Sequence, residues 1–198
     1  MGAFRILFVC RANRCRSAVA SLLLNHAIQV DPGLWPYQWA VESAGTEARD
    51  GEPMDPRSAA LLEQTRVPTS EFRSRLITAA MVVESDLVLT ADRRRRADVV
   101  ELVPRAANRV FTMRQFARLM RDDVITVYTA ELGLQAVAVA RSRRGMAEPA
   151  DPAVDDIEDP AGRPARVLNR ALERIAQSLQ PLGVTFQPGR ARLGMRRR

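Results

Sequence analysis

The run Ala3-Phe4-Arg5-Ile6-Leu7-Phe8-Val9 leads directly into Cys10-Arg11-Ala12-Asn13-Arg14-Cys15-Arg16-Ser17, and Ala18–Ile28 follows with helical composition. The first run is short, β-type and barely alternates, which predicts a strand buried on both faces. The polar stretch is a tight loop, and the helix stops before Asp31-Pro32-Gly33. Strand, loop and helix therefore open the chain.

Outward from there the pattern repeats. Trp39–Glu42 reads as a second strand and Ser43-Ala44-Gly45-Thr46 as the loop after it. Asp55-Pro56 starts a helix through Thr65, with proline at the first helical position. Ile77–Glu84 reads as helix, Asp86–Thr90 as a third strand, Ala91–Leu102 as a helix ended by Pro104, and Arg109–Thr112 as a fourth strand. Helices are expected at Met113–Arg121 and Val124–Arg143, a loop at Gly145–Pro164, and a last helix at Ala165–Leu179. In that helix Val167, Leu168, Ala171, Leu172, Ile175 and Leu179 share one face. Strands alternating with helices predict an α/β fold: a three-layer sandwich, its central four-stranded parallel sheet flanked by helices, with the polar loop after the first strand. Residues 1–182 form one expected domain, and 183–198 a basic, frayed tail. Ligands of such sheets sit at the carboxyl ends of strands, where Cys10 falls.

Composition narrows the function. The 198 residues carry 30 Lys+Arg against 23 Asp+Glu, a formal net charge of +7, so an anionic partner is favoured. Two cysteines cannot build a secreted disulfide framework. No apolar run approaches the ~18 residues of a membrane helix, and Ile6–Val9 is shorter than the ~7-residue minimum of a signal-peptide core. A cytoplasmic location is the expectation. A single His argues against a His-rich metal site and against His-based catalysis.

The loop reads as an anion cradle. Backbone N–H groups of a loop turning into a helix point inward, and the helix dipole adds positive potential. That potential favours a thiolate at Cys10, the nucleophilic form. Arg16 offers a planar fork for two phosphate oxygens. Ser17 is placed to donate to the sulfur when an intermediate breaks down. A leaving phenolate or alkoxide also needs a proton, and a carboxylic acid on a loop over the cradle would supply it.

Val9-Cys10 through Arg16-Ser17, followed by Ala18-Val19-Ala20, resembles the N-terminal signature of the low-molecular-weight protein tyrosine phosphatase family. Glu42–Thr46, Met54-Asp55-Pro56-Arg57-Ser58, Asp86–Thr90 and Asp159-Pro160 resemble further motifs of that family, in its order. The resemblance is strongest over about residues 4–119 and resumes around 155–180. It implies a metal-independent, cofactor-free phosphatase working through a cysteinyl-phosphate. Cys10 would be the nucleophile, Arg16 the phosphoryl-binding arginine and Asp159 the general acid. Arg11, Ala12, Asn13, Arg14, Cys15 and Ser17 would line the phosphate. Asn13 would hold the cradle's shape with Ser17 and Ser43 as partners. The implied substrate is a phosphorylated protein or a small phosphate ester, with a tyrosine kinase as counterpart and no membrane or nucleic-acid partner.

Three positions depart from the family pattern. Arg14 stands where an apolar residue is common, Ala161 where an aromatic is common, and Arg49 brings no ring. Arg11, Arg14 and Arg49 lead us to expect a preference for acidic phosphopeptides; pairing of these arginines with Glu47, Asp50 and Glu52 would remove it. Trp35, Tyr37 or Tyr128 could supply a ring from elsewhere. Cys15 reads either as a packing residue or as the redox partner that captures oxidised Cys10. Arg93–Arg96 reads as a solvated helix face. The other readings are a thiol-dependent arsenate reductase on the same scaffold, a basic nucleic-acid-binding protein, and a phosphate-binding regulator with a dead site. Intact Cys10, Arg16 and Asp159 speak against the last.

Overall fold

The computed structural model describes residues 2–30, 39–121, 130–146, 151–186 and 193–195. Four strands, β1 (Phe4–Cys10), β2 (Trp39–Gly45), β3 (Leu87–Thr90) and β4 (Val110–Thr112), form one parallel sheet in the order β2-β1-β3-β4. β1 is central, pairing with β2 from Phe4↔Trp39 to Cys10↔Gly45 and with β3 from Ile6↔Leu87 to Val9↔Thr90.

The weak alternation of the first run has its cause here. Phe4, Ile6, Phe8 and Cys10 enter one core layer, and Leu7 and Val9 enter the other. The first layer is covered by α1 (Arg16–Val30), α2 (Pro56–Glu63), α5 (Met113–Leu119), α6 (Ala130–Arg143) and α7 (Ala165–Leu179). The second is covered by α3 (Ala79–Glu84) and α4 (Arg93–Leu102). This is the expected three-layer sandwich. The apolar face of α7 is buried along its whole length, as its periodicity predicts.

Several boundaries move for identifiable reasons. β2 runs on to Gly45, because β1 extends to Cys10 and pairs residue for residue. α3 starts at Ala79 rather than Ile77, since Leu76 bridges to Gly45 and Ile77 N donates to Gly45 O at 2.9 Å. α4 starts at Arg93 because Ala91 N still bonds Val9 O at 2.7 Å, and Asp92 caps the helix by accepting from Arg95 N at 2.8 Å. A 3-10 turn, Pro104–Arg109, takes Arg109 out of β4. The expected helix from Val124 is described from Ala130 onward, and 124–129 lie outside the described residues.

Where a frayed tail is expected from Gly183, Val184 is buried. The strand β5 (Val184–Phe186) pairs antiparallel with β6 (Leu193–Met195). Arg93–Arg96 is not simply a solvated face either. Arg95 is 3% exposed, with Nη1 2.6 Å from Glu47 Oε1 and 2.7 Å from Thr46 Oγ1, and Nε 2.9 Å from Asp98.

Candidate active site

The polar stretch after β1 turns tightly at the carboxyl end of the sheet and becomes α1 at Arg16. Four of its carbonyls are bonded to surrounding amides. Cys10 O accepts from Thr46 N at 3.0 Å, Arg11 O from Glu47 N at 2.8 Å, Arg14 O from Asp55 N at 2.8 Å and Cys15 O from Val19 N at 2.7 Å. In a planar trans peptide the following N–H points opposite to the carbonyl. The amides of Arg11, Ala12, Cys15 and Arg16 therefore face away from these partners, as a cradle requires.

Asn13 fixes the middle of the loop. It is fully buried with φ +54°, a left-handed conformation that Asn tolerates better than most residues. Its Nδ2 donates to Ser17 Oγ at 3.0 Å, and its Oδ1 accepts from Arg75 N at 2.9 Å. Ser43 was expected to share this task directly. Instead its carbonyl accepts from Arg75 Nη2 at 3.1 Å, so the link to Asn13 passes through Arg75. Gly45 leaves room for the loop: a Cβ there would lie 2.5 Å from Arg11 O and 2.7 Å from Asn13 N.

The reactive groups converge on this loop. Cys10 is buried at 3% exposure, and Ser17 Oγ lies 3.0 Å from its sulfur and 3.2 Å from Ala44 O. Arg16, also 3% exposed, is held by three partners. Its Nη1 donates to Asp92 Oδ2 and to Ile157 O, both at 2.8 Å, and its Nη2 lies 3.1 Å from Asp159 Oδ2. Burial opposes the guanidinium charge, but the charges of Cys10, Asp159 and Asp92 outweigh it and raise the pKa of Arg16. Arg16 is thus a fixed cation beside the thiol.

Asp159 reaches this site from the loop before α7. It also meets Arg11 Nε at 3.3 Å, and its Oδ1 accepts from Ala161 N at 3.2 Å. The neighbouring acids are committed elsewhere: Asp155 to Arg118 at 2.8 Å, Asp156 to Arg93 at 3.0 Å, and Glu158 to Arg163 and Arg170 at 3.3 Å. Arg14 is countered, with Nη1 3.4 Å from Glu52 and Nε donating to Pro53 O at 2.9 Å. Trp35, Tyr37 and Tyr128 lie outside the described residues. Cys15 is buried near Cys10, with Ser58 Oγ 3.1 Å from its sulfur. Burial, opposed by the Ser58 hydrogen bond and reinforced by Cys10 and Asp55, pushes its pKa up to about 12, so it is a thiol.

The structure adds Arg75, Ile157, Asp92 and Arg95 to the residues that the sequence singles out for this site. Asp92 follows β3, and the rule that ligands gather at strand carboxyl ends would have found it. Arg95 shares a helical face with Val99 and Val103, both buried, and that spacing was the available signal.

A buried thiol and an arginine fork on a strand–loop–helix cradle define a class of enzyme that attacks phosphorus through sulfur. Comparison with known proteins narrows the class. A family model described as "Low molecular weight phosphotyrosine protein phosphatase" matches residues 5–129. A Ralstonia solanacearum protein named as a probable low molecular weight protein-tyrosine-phosphatase, EpsP, is 30% identical over 141 residues, 71% of this chain and 90% of that one. A protein-arginine-phosphatase of Geobacillus stearothermophilus is 30% identical over 121 residues, 61% of this chain and 76% of that one. The crystal structure of a low molecular weight protein tyrosine phosphatase from T. tengcongensis shares the fold, with a TM-score of 0.65 at 23% identity over 91% of this chain and 97% of that one. The chain belongs to the low-molecular-weight phosphotyrosine protein phosphatase family, whose members are cysteine-dependent phosphatases. Arsenate reduction and nucleic-acid binding are not favoured. No helix among the described residues is long and apolar enough to cross a membrane.

Proposed function

We propose that this chain hydrolyses phosphotyrosine in protein, with Cys10 as nucleophile, Arg16 as phosphoryl clamp and Asp159 as general acid. The convergence of Ser17, Arg16 and Asp159 on the Cys10 loop carries this reading. The phosphoryl group enters the cradle and takes the Nη2 side of Arg16 that Asp159 occupies, while Asp92 and Ile157 O keep the Nη1 side fixed. The thiolate attacks phosphorus as the P–O bond to the substrate breaks. Protonated Asp159 gives its proton to the leaving oxygen, and its carboxylate then accepts one from the water that cleaves the P–S bond. Ser17 donates to the departing sulfur. Cys15 acts as redox partner of Cys10. The chain works in the cytoplasm opposite a tyrosine kinase.

Phosphoarginine is a second reading. One relative at 30% identity is named for that substrate, and positions 14, 49 and 161 supply no ring to grip a phenyl group. Hydrolysis of phosphotyrosine and phosphoarginine peptides of one sequence, in chelator, decides between them. Cys10→Ser tests the chemistry common to both. It should lose nearly all turnover while still binding inorganic phosphate, and turnover near wild type would end the proposal.

A further inference from the structure

Every cation in this sequence is arginine, for it contains no lysine. Many of these guanidinium groups fasten the irregular segment that delivers Asp159. Arg118 holds Asp155, Arg93 holds Asp156, and Arg174 Nη1 donates to Asp156 O at 3.0 Å. Those contacts secure residues before Asp159. Arg57 secures the chain after it.

Arg57 lies in the first turn of α2. Its Nη2 donates to Pro160 O at 3.0 Å, and its Nη1 donates to Arg163 O at 2.7 Å. These carbonyls are the two ends of the turn Pro160-Ala161-Gly162-Arg163, closed by Arg163 N donating to Pro160 O at 3.1 Å, with Gly162 at φ +68°. The same turn aims the carboxylate, because Asp159 Oδ1 accepts from Ala161 N at 3.2 Å. The start of α2 is in turn tied to the cradle, as Asp55 N donates to Arg14 O at 2.8 Å. One side chain therefore spans from an element bonded to the phosphate loop to the turn that orients the acid.

We propose that Arg57 is a positioning residue for the general acid: its fork grips both ends of the turn and holds the Asp159 carboxylate over the cradle. The inference rests on the reading of Asp159 as that acid. A planar guanidinium suits the task, since it reaches two carbonyls at once. Lysine offers a point charge on a flexible stem.

Leaving-group dependence tests it. The kcat/KM is measured for phenyl phosphate, whose phenolate leaves poorly, and for 2,4-dinitrophenyl phosphate, whose leaving group needs little protonation. Asp159→Asn should cost about 10²-fold or more on the first ester and far less on the second. Arg57→Ala should cost roughly tenfold on phenyl phosphate and under about twofold on the dinitrophenyl ester, because only proton delivery is impaired. Inorganic phosphate should inhibit Arg57→Ala as it does wild type, which shows the cradle intact. Arg57→Lys should recover part of the loss, and it carries the comparison if the alanine variant does not fold. Because Arg57 acts through Asp159, the double variant should fall within about twofold of Asp159→Asn alone. Equal losses on both esters, no loss on phenyl phosphate, or multiplicative losses in the double variant would overturn the proposal. If Asp159→Asn itself shows no dependence on the leaving group, the acid assignment falls, and this proposal falls with it. The single Asp159 variant separates that failure from a failure of Arg57.

Discussion

Gly45→Ala adds one carbon at the end of β2, and the structure says where it goes. The new Cβ would stand 2.5 Å from Arg11 O, 2.7 Å from Asn13 N and 2.9 Å from Ala12 C. All three atoms are backbone of the phosphate loop, so no side chain can swing aside. Ordinary carbon contacts begin near 3.4 Å, so the loop must retreat by roughly half to one ångström. Such a shift at a preorganised site costs about 10²-fold in rate, even from a residue that touches no substrate. Overpacking of this kind costs about 1–3 kcal/mol of stability. For a chain of this size that lowers Tm by very roughly 2–12 °C. The assay is kcat/KM on an aryl phosphate, phosphate inhibition and a thermal melt on one preparation. We expect activity to fall far more than stability, with weaker phosphate inhibition. If Gly45→Ala keeps wild-type kcat/KM and phosphate affinity, the loop does not rest on the end of β2 as described.

Arg95→Ala should destabilise the fold by about 1.5–3 kcal/mol, because it removes charge-assisted bonds from a buried guanidinium. Arg94→Ala, on the exposed face beside it, should stay within about 0.5 kcal/mol; equal effects in denaturant melts would show that Arg95 bears no special role. Cys15 gives a pH signature. Its folded pKa is raised, chiefly by burial, to about 12. An unfolded thiol loses its proton above pH ~8.5, so Cys15 adds no cost below that pH. As pH rises from there toward the folded value, the unfolded chain alone ionises and stability falls, by up to ~1.4 kcal/mol per pH unit. Cys15→Ala should flatten this decline, and an unchanged slope would refute it. Mild peroxide should join Cys10 and Cys15 in a disulfide, read as a loss of two hydrogens by mass spectrometry and reversed by reductant. If Cys15→Ala recovers from peroxide as well as wild type does, the redox role is wrong.

The layering of the fold was legible because its signals are local. An apolar run without alternation means a strand covered on both faces, and β1 is that strand. A helical face repeats every three or four residues, and α7 shows it from Val167 to Leu179. The loop was legible for the same reason: Cys10 ends a strand, Arg16 and Ser17 begin a helix, and one short polar stretch joins them. Element ends were less legible. Where β2 stops and α3 starts depends on what lies alongside, as Gly45 shows by pairing with Cys10 and bonding Ile77.

By itself, the sequence determined the α/β order, the phosphate loop and the cysteine that heads it. Composition and spacing left the acids of residues 155–159 unranked, only the family resemblance pointing to Asp159, and did not tell Arg95 from Arg94. The tertiary structure separates them by their partners. Asp155, Asp156 and Glu158 are taken up by arginines away from the cradle, and Asp159 is turned to Arg16, 143 positions earlier in the chain. Arg14, for which the sequence left open both substrate selection and pairing with a nearby acid, is countered by Glu52. The physical reason is that a charge acts through distance and burial. Those are properties of the folded packing, and no local pattern of residues encodes which of many opposite charges will come within reach.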